Sequence, residues 1–310
     1  MANEGEPFVY TGQSTEDIPR NVTHVVVDPS VKVIAEDSFG MCVQLRTVKL
    51  HEGLEKIDYL AFCGCISLES ISIPSTVKVI GHHALAYCTQ LRTVELHEGL
   101  ERIDYRGFLG CTSLERISIP STVKVIKWEA LSGCMQLMTV ELCEGLERID
   151  EGTFANCTSL ERINIPSTVK VIKCEALSGC EQLMTVELCE GLERIDDKAF
   201  EDCTSLERIN IPSTIKVIKC EALSGCVQLM TVELCEGLER ICQWAFEDCT
   251  SLERINIPST VNYIHKNAFK DCSSLVAIEF CEEIEDIVTE GCLCGLVPFW
   301  LDATSQGGWE

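Results

Sequence analysis

Apolar residues recur along this chain in two nested rhythms. The short one is alternation, as in Ile163, Asn164 and Ile165, where every second residue is apolar as in a strand with one buried face. The long one has a period of 23 residues, marked by Cys42, Cys65, Cys88, Cys111, Cys134, Cys157, Cys180, Cys203, Cys226, Cys249 and Cys272. One unit places Cys157, Leu160, Ile163, Ile165, Val169, Ile172, Ala176 and Leu177 in the apolar set, and its neighbours repeat it. The first unit lacks the cysteine but keeps Val22, Val25, Val27, Val31, Ile34 and Phe39. Each unit therefore predicts a longer strand, a second short extended stretch such as 169–172, and a tight corner made by one turn of 3₁₀ or α-helix. Pro74, Pro120, Pro166, Pro212 and Pro258 close the longer strand in alternate units, because proline cannot continue a hydrogen-bonded ladder.

A single unit cannot bury these side chains, whereas stacked units bury them against one another. The pattern predicts a β-rich repeat solenoid, a curved superhelix with a parallel sheet along one face and short corner turns. About twelve coils would rise roughly 58 Å at about 4.8 Å per coil. Two unit types alternate: a proline type, CTSLERINIPSTVKVIKCEALSG at 157–179, and a Glu-Gly type, CEQLMTVELCEGLERIDDKAFED at 180–202. The true period is 46, and residues 157–202 and 203–248 are nearly identical, as duplication produces. The repeats occupy residues 19–291. Residues 1–18 predict an N-terminal cap, with Phe8, Val9 and Tyr10 lying on the first coil. Residues 292–310 predict a C-terminal cap and tail, in which Phe299, Trp300 and Leu301 cover the last coil.

The order Cys-x-x-Leu-x-x-Ile-x-Ile-Pro-x-x-Val-x-x-Ile, followed by Ala-Leu or Ala-Phe, resembles the BspA-like leucine-rich repeats over residues 19 to about 290. The resemblance implies a leucine-rich-repeat-like solenoid used for binding and adhesion, with no catalytic residues to carry over. One departure bears on backbone shape. The family's glycine after the second strand survives here as Gly81, while Asp58, Asp104, Lys127 and Asp150 stand at the equivalent positions.

Stacking turns each aligned column into a ladder with a step of about 4.8 Å. One column alternates in sign from Lys32 and Glu55 through Lys78 and Glu101 to Lys216 and Glu239. A second alternates from Asp104 through Lys127, Asp150, Lys173 and Asp196 to Lys219. Opposite charges on neighbouring strands attract and like charges repel. The alternation therefore selects which unit type stacks on which, each exposed pair contributing about 0.2–1 kcal/mol. The cysteine column is expected in the core, since a free cysteine behaves as a small hydrophobe. Neighbouring thiols are close enough for disulfides, but side chains pointing in parallel disfavour them. The pairs Cys63/Cys65 and Cys292/Cys294 lack partners at zinc-site spacing. Cys143, Cys189, Cys235 and Cys281 stand two coils apart, about 10 Å, too far to share one metal. No metal or cofactor is expected.

Two surfaces carry candidate binding residues. On the longer strand, the outward positions hold Arg162 and Arg208 in one unit type and Glu187 in the other, with Met138 and Met184 at the strand entrance. This is either a solvated, mutually satisfied polar face or a protein-binding groove in which methionines supply adaptable apolar contacts. At the corner after the second strand, Tyr59, His82, Tyr105 and Trp128 occupy four successive coils, and Glu151, Cys174 and Asp197 follow. Aromatic clusters are typical binding hot spots, and packing between neighbouring rings is the alternative.

Charge narrows the partner. With 49 acidic and 25 basic residues the net charge is −24, which repels nucleic-acid phosphates and anionic lipid and favours a basic protein. No apolar run approaches a membrane span, so membrane insertion is not expected. The six histidines stand in no nucleophile-and-carboxylate constellation, and no phosphate loop or metal motif occurs, so no enzyme is expected. The N-terminus carries no apolar leader, and 21 cysteines cannot all pair internally. These features favour the cytoplasm, with the cell surface or secretion as the alternative. The function that emerges is a non-catalytic protein-binding scaffold. The alternative is a self-associating structural or adhesive surface protein, and a homo-oligomer stays open with it.

Overall fold

A computed structural model describes residues 6–280 of the chain. Packing divides the chain into two compact units, residues 1–160 and 161–310. Each is a parallel β-solenoid in which every coil supplies one longer and one two-residue strand. In residues 1–160 the longer strands run from His24–Val27 to Thr139–Leu142 and the short ones from Val33–Ile34 to Arg148–Ile149. In residues 161–310 they run from Arg162–Asn164 to Ala277–Phe280 and from Val171–Ile172 to Tyr263–Ile264. Twelve coil-forming longer strands and eleven short ones among the described residues give about eleven full turns, against the twelve or so coils expected. Pairing is parallel and displaced by one repeat, as in Arg116↔Thr139 and Arg208↔Thr231. Strands stop just before Pro120, Pro212 and Pro258, as proline requires.

Inward positions form continuous columns. Phe39 and Phe62 stack with centroids 5.3 Å apart, and Phe246 and Phe269 do so at 5.2 Å. Between these two ends phenylalanine and leucine alternate in the column with the two unit types, as in Phe108, Leu131 and Phe154, all fully buried. The cysteine column is core, as expected, with Cys65 to Cys157 and Cys180 to Cys249 fully buried at every repeat. Each thiol also reaches back one coil: Cys88 Sγ donates to the Phe62 carbonyl at 3.2 Å, and Cys203 Sγ to that of Leu177 at 3.3 Å. At the N-terminal end, Phe8–Tyr10 pairs in parallel with His24–Val27, and Tyr10 is buried edge-on against Phe39. The expected cap at 292–310, with Phe299, Trp300 and Leu301, lies outside the described residues.

The corner departs from expectation. Among the described residues the one helical element is the 3₁₀ turn Thr15–Asp17. The corners are instead hydrogen-bonded turns with two left-handed residues per coil. One precedes the core cysteine, as at Gly64, Gly110, Asn156 and Asp202, residue types that tolerate positive φ. The other falls on Leu60, His83 and Arg106, with φ of 55°, 54° and 57°. A left-handed non-glycine residue costs about 1–2 kcal/mol. A ladder between coils offsets that cost: the amides of Leu60, Phe62 and Gly64 donate to the carbonyls of His82, Ala84 and Ala86 at 3.0, 2.7 and 2.8 Å. The positive φ falls two residues after Gly81, so aspartate or lysine at the equivalent positions meets no left-handed backbone there.

The alternation of unit types has a second cause besides charge. Glu98 accepts hydrogen bonds from the Ser121 amide and hydroxyl at 3.1 and 3.0 Å. The Gly99 amide donates to Thr122 Oγ1 at 3.1 Å, and that hydroxyl donates to the Leu100 carbonyl at 2.6 Å. Glu190 and Ser213 repeat the clamp in residues 161–310. On the other side of the same turn, Lys78 donates to the Gly99 carbonyl at 3.2 Å and lies 3.7 Å from Glu101. Each Glu-Gly corner is thus held by the lysine of one neighbour and the Ser-Thr of the other. The second charged column is only partly a ladder between coils. Lys219 meets Asp196 at 2.6 Å, but Asp104 and Asp150 pair at 2.7 Å with Arg102 and Arg148 of their own coils. Arginine two residues earlier on the short strand reaches these carboxylates first.

Candidate functional site

The corner column of residues 59–128 is built by the turn just described. The short strand delivers each ring, and the left-handed residue after it turns the chain inward toward the buried Phe62, Leu85, Phe108 or Leu131, leaving the ring at the surface. His82 and Tyr105 meet edge to face with centroids 4.8 Å apart, and Tyr105 and Trp128 do so at 6.4 Å. Tyr59 turns its ring toward His83 at 6.2 Å rather than toward His82. The rings therefore pack on one another, as one of the two expectations held. They are also open to solvent: Tyr59, Tyr105 and Trp128 keep 41%, 40% and 36% of their surface exposed.

Charged groups fix this strip from both sides. The Arg106 guanidinium lies 4.4 Å over the Trp128 ring and its Nε donates to Glu129 at 2.6 Å. That arrangement combines a cation–π contact with an ion pair and locks the indole's orientation. On the other side, the buried Asp104 takes Arg102 Nε at 2.7 Å and has His82 Nε2 at 3.8 Å. Burial, together with the Arg106 charge, holds the His83 imidazole below its ordinary value.

Sequence reasoning missed two members of this surface. Arg106 is one. The other is Tyr87, half exposed and left-handed (φ 59°) in a column that, Met41 apart, elsewhere holds glycine, asparagine or aspartate. Its ring lies over Gly110, where an added Cβ would come within 2.8 Å of Cδ1. A bulky residue at positive φ is a genuine outlier, and a tyrosine in a glycine-rich column was the available signal.

The strand-face candidates lie in both units. Met138 precedes the strand Thr139–Leu142 in residues 1–160 and is exposed. In residues 161–310, Arg162 and Arg208 flank Thr185, and Glu187 stands beside Asn164. Met184 is exposed at the entrance of the same strand as Glu187, its amide bonded to the Glu161 carbonyl at 3.0 Å.

The cysteines offer little chemistry. All eighteen described cysteines are free thiols. Burial pushes Cys134 up to about 12 and holds Cys111 and Cys203 well above the ordinary thiol value, so the thiolate is suppressed. Among the described residues no three His, Cys, Asp or Glu side chains gather as a metal site, and no helix is long and apolar enough to cross a membrane.

Parallel coils of one strand-turn-strand unit, closed by turns and lined by a leucine, isoleucine and cysteine core, define a leucine-rich repeat scaffold. The family model for the BspA type leucine-rich repeat region matches residues 19–134, 92–207 and 193–293, and the chain belongs to that family. No curated protein matches. Among solved structures, a leucine-rich cell surface protein from Faecalibacterium prausnitzii is 29% identical, with a TM-score of 0.55 over 85% of this chain and 74% of that one. A leucine-rich repeat protein from Bacteroides ovatus is 27% identical, with a TM-score of 0.53 over 79% and 75% of the two chains. The pneumococcal vaccine antigen PcpA, 19% identical, shares the fold, with a TM-score of 0.53 over 89% and 78%.

Proposed function

We propose that the chain is a non-catalytic scaffold that binds a protein partner through the corner surface of residues 59–129. The observation that carries this reading is the ring column itself: four exposed rings on successive coils, braced by Arg106 and Asp104, three of them with about two fifths of their surface open. Rigid, half-exposed aromatic rings lose little entropy on contact and dominate binding energies. The acidic surface makes the partner basic by long-range attraction. Between the two locations considered, the cell-surface description of the F. prausnitzii protein favours the surface over the cytoplasm.

The test uses the intact chain as bait for its native cell surface and surroundings, beside the double variant Tyr105→Ala, Trp128→Ala. The intact chain should retain a discrete protein that the variant loses while its circular dichroism is unchanged. Equal retention by both would refute the corner as the docking site. A second reading, self-association as an adhesive, rests on the same surface description. It predicts a concentration-dependent dimer by light scattering in the absence of any other protein.

A further inference from the structure

We propose that the long-strand face of residues 161–280 receives an extended, polyproline-II-like protein segment with lysine or arginine at every third position. This rests on the protein-binding reading above and gives the partner's chemistry for a second surface.

On this face each proline-type coil turns Glu, Arg and Asn outward, and the two Glu-Gly coils at 180–202 and 226–248 turn Met, Thr and Glu outward. Asn164 stands beside Glu187 and Asn210 beside Glu233 in parallel register, so the set repeats every two coils. Glu187 and Glu233 are therefore about 9.6 Å apart, and Met184 and Met230 likewise, at about 4.8 Å per coil. Both carboxylates are exposed. The ion pair on this face among the described residues, Arg254 with Glu279 at 2.9 Å, leaves them unpaired.

The face also has a basin. The hydrogen-bonded ladder ends at Thr231–Leu234, and Arg254–Ile257 pairs with Ala277–Phe280 in a separate sheet. A depression of about 500 Å³ lies there, lined by Met230, Glu233, Arg254, Asn256 and Glu279 among others. Methionine beside an open carboxylate suits a long cationic side chain, whose apolar stem and charged head need different neighbours.

Charge selects the sign of the occupant. Outside the Arg254–Glu279 pair, Glu161, Glu187, Glu207, Glu233 and Glu253 face outward against Arg162 and Arg208. Such a surface attracts cations, and a second copy of the same face would be repelled by it.

Spacing selects the conformation. A polyproline-II helix repeats every three residues at about 3.1 Å each, so one face recurs every 9.3 Å or so. That is within a few tenths of an ångström of two coils. An α-helix returns to one face after seven residues, about 10.5 Å. A β-strand returns after two or four, about 6.6 or 13 Å. Neither stays in register with the glutamates.

The experiment measures fluorescence anisotropy of labelled synthetic peptides titrated with the intact chain at low salt. One peptide carries lysine at every third position in a proline background. The other carries the same number of lysines at every fourth position. The first should bind at least tenfold tighter, and the double reversal Glu187→Lys, Glu233→Lys should remove the preference without moving the melting temperature, both positions being exposed. Equal affinity for the two spacings, no binding of either peptide, or a preference that survives the reversal would each overturn the proposal. Trp128→Ala should leave peptide binding unchanged. A chain that loses its native partner on Trp128→Ala yet ignores peptide spacing sinks this inference alone, and the converse sinks the corner reading alone.

Discussion

The corner of residues 59–129 and the equivalent corner of residues 174–244 have one backbone and two chemistries. The residue after the variable column is left-handed in both, with φ of 57° at Arg106 and 56° at Glu175. The Ala-Leu or Ala-Phe pair beneath it is buried in both, as at Ala130 and Leu131 and at Ala222 and Leu223. Yet Tyr59, His82, Tyr105 and Trp128 in the first are matched in the second by Cys174, Asp197, Cys220 and Gln243. There, Asp197 accepts the Cys220 amide at 2.9 Å, a small polar cap that serves the turn. The coil closes equally well on cysteine, aspartate or glutamine, so the fold does not require rings at these positions. What the fold leaves undetermined is where a binding surface can be written.

The largest effect is expected in the core, which is equivalent in the two regions. Phe108→Ala and Phe200→Ala remove matching, fully buried rings, and each should cost about 3–5 kcal/mol in chemical denaturation. A gap of several kcal/mol between them would show that the two scaffolds are not alike.

A smaller effect lies in the cysteine column. With its thiol pushed up to about 12 by burial, native Cys134 should react with iodoacetamide far more slowly than an ordinary thiol. Mass spectrometry after brief labelling should find Cys143, Cys189 and Cys235, which are only partly buried, modified first. Early labelling of Cys134 would mean that the coils open readily.

The coils, the core cysteines and the longer strands were legible because each is a local pattern repeated many times, as in Cys157, Leu160, Ile163 and Ile165. The clamp of Glu98 on Ser121 was not. It joins residues 23 apart whose side chains look like separate turn signals until the coils are stacked. The corner reads as a helical turn in the sequence because alanine and leucine favour helix, while the amides there turn toward the next coil instead. The ring column was visible as a column. Arg106 over Trp128 and Tyr87 over Gly110 were not, since both depend on the left-handed backbone that places them.

The clamp gives the smallest effect. The Ser121 amide holds the Glu98 carboxyl below its ordinary 4.5, and the Ser259 amide does the same for Glu236. A carboxylate depressed in the folded state stabilises it fully above the unfolded value, and that contribution is lost as pH falls through the folded value. The melting temperature should therefore drop below about pH 4.5, and less steeply in Glu98→Gln and Glu236→Gln. Identical pH profiles in the variants and the parent would show that the clamp does not couple to stability.

The most direct measurement sets Trp128→Ala beside Gln243→Ala, the same column in the two regions, and reads partner affinity and melting temperature for each. Loss of a contact-centre ring should weaken the complex by about 2 kcal/mol or more, while an exposed substitution moves stability by under about 0.5 kcal/mol. Trp128→Ala should bind at least tenfold more weakly, Gln243→Ala should bind as the parent does, and the two melting temperatures should stay together. If Trp128→Ala instead binds as the parent does and melts well below Gln243→Ala, the rings are packing and the corner is not the site.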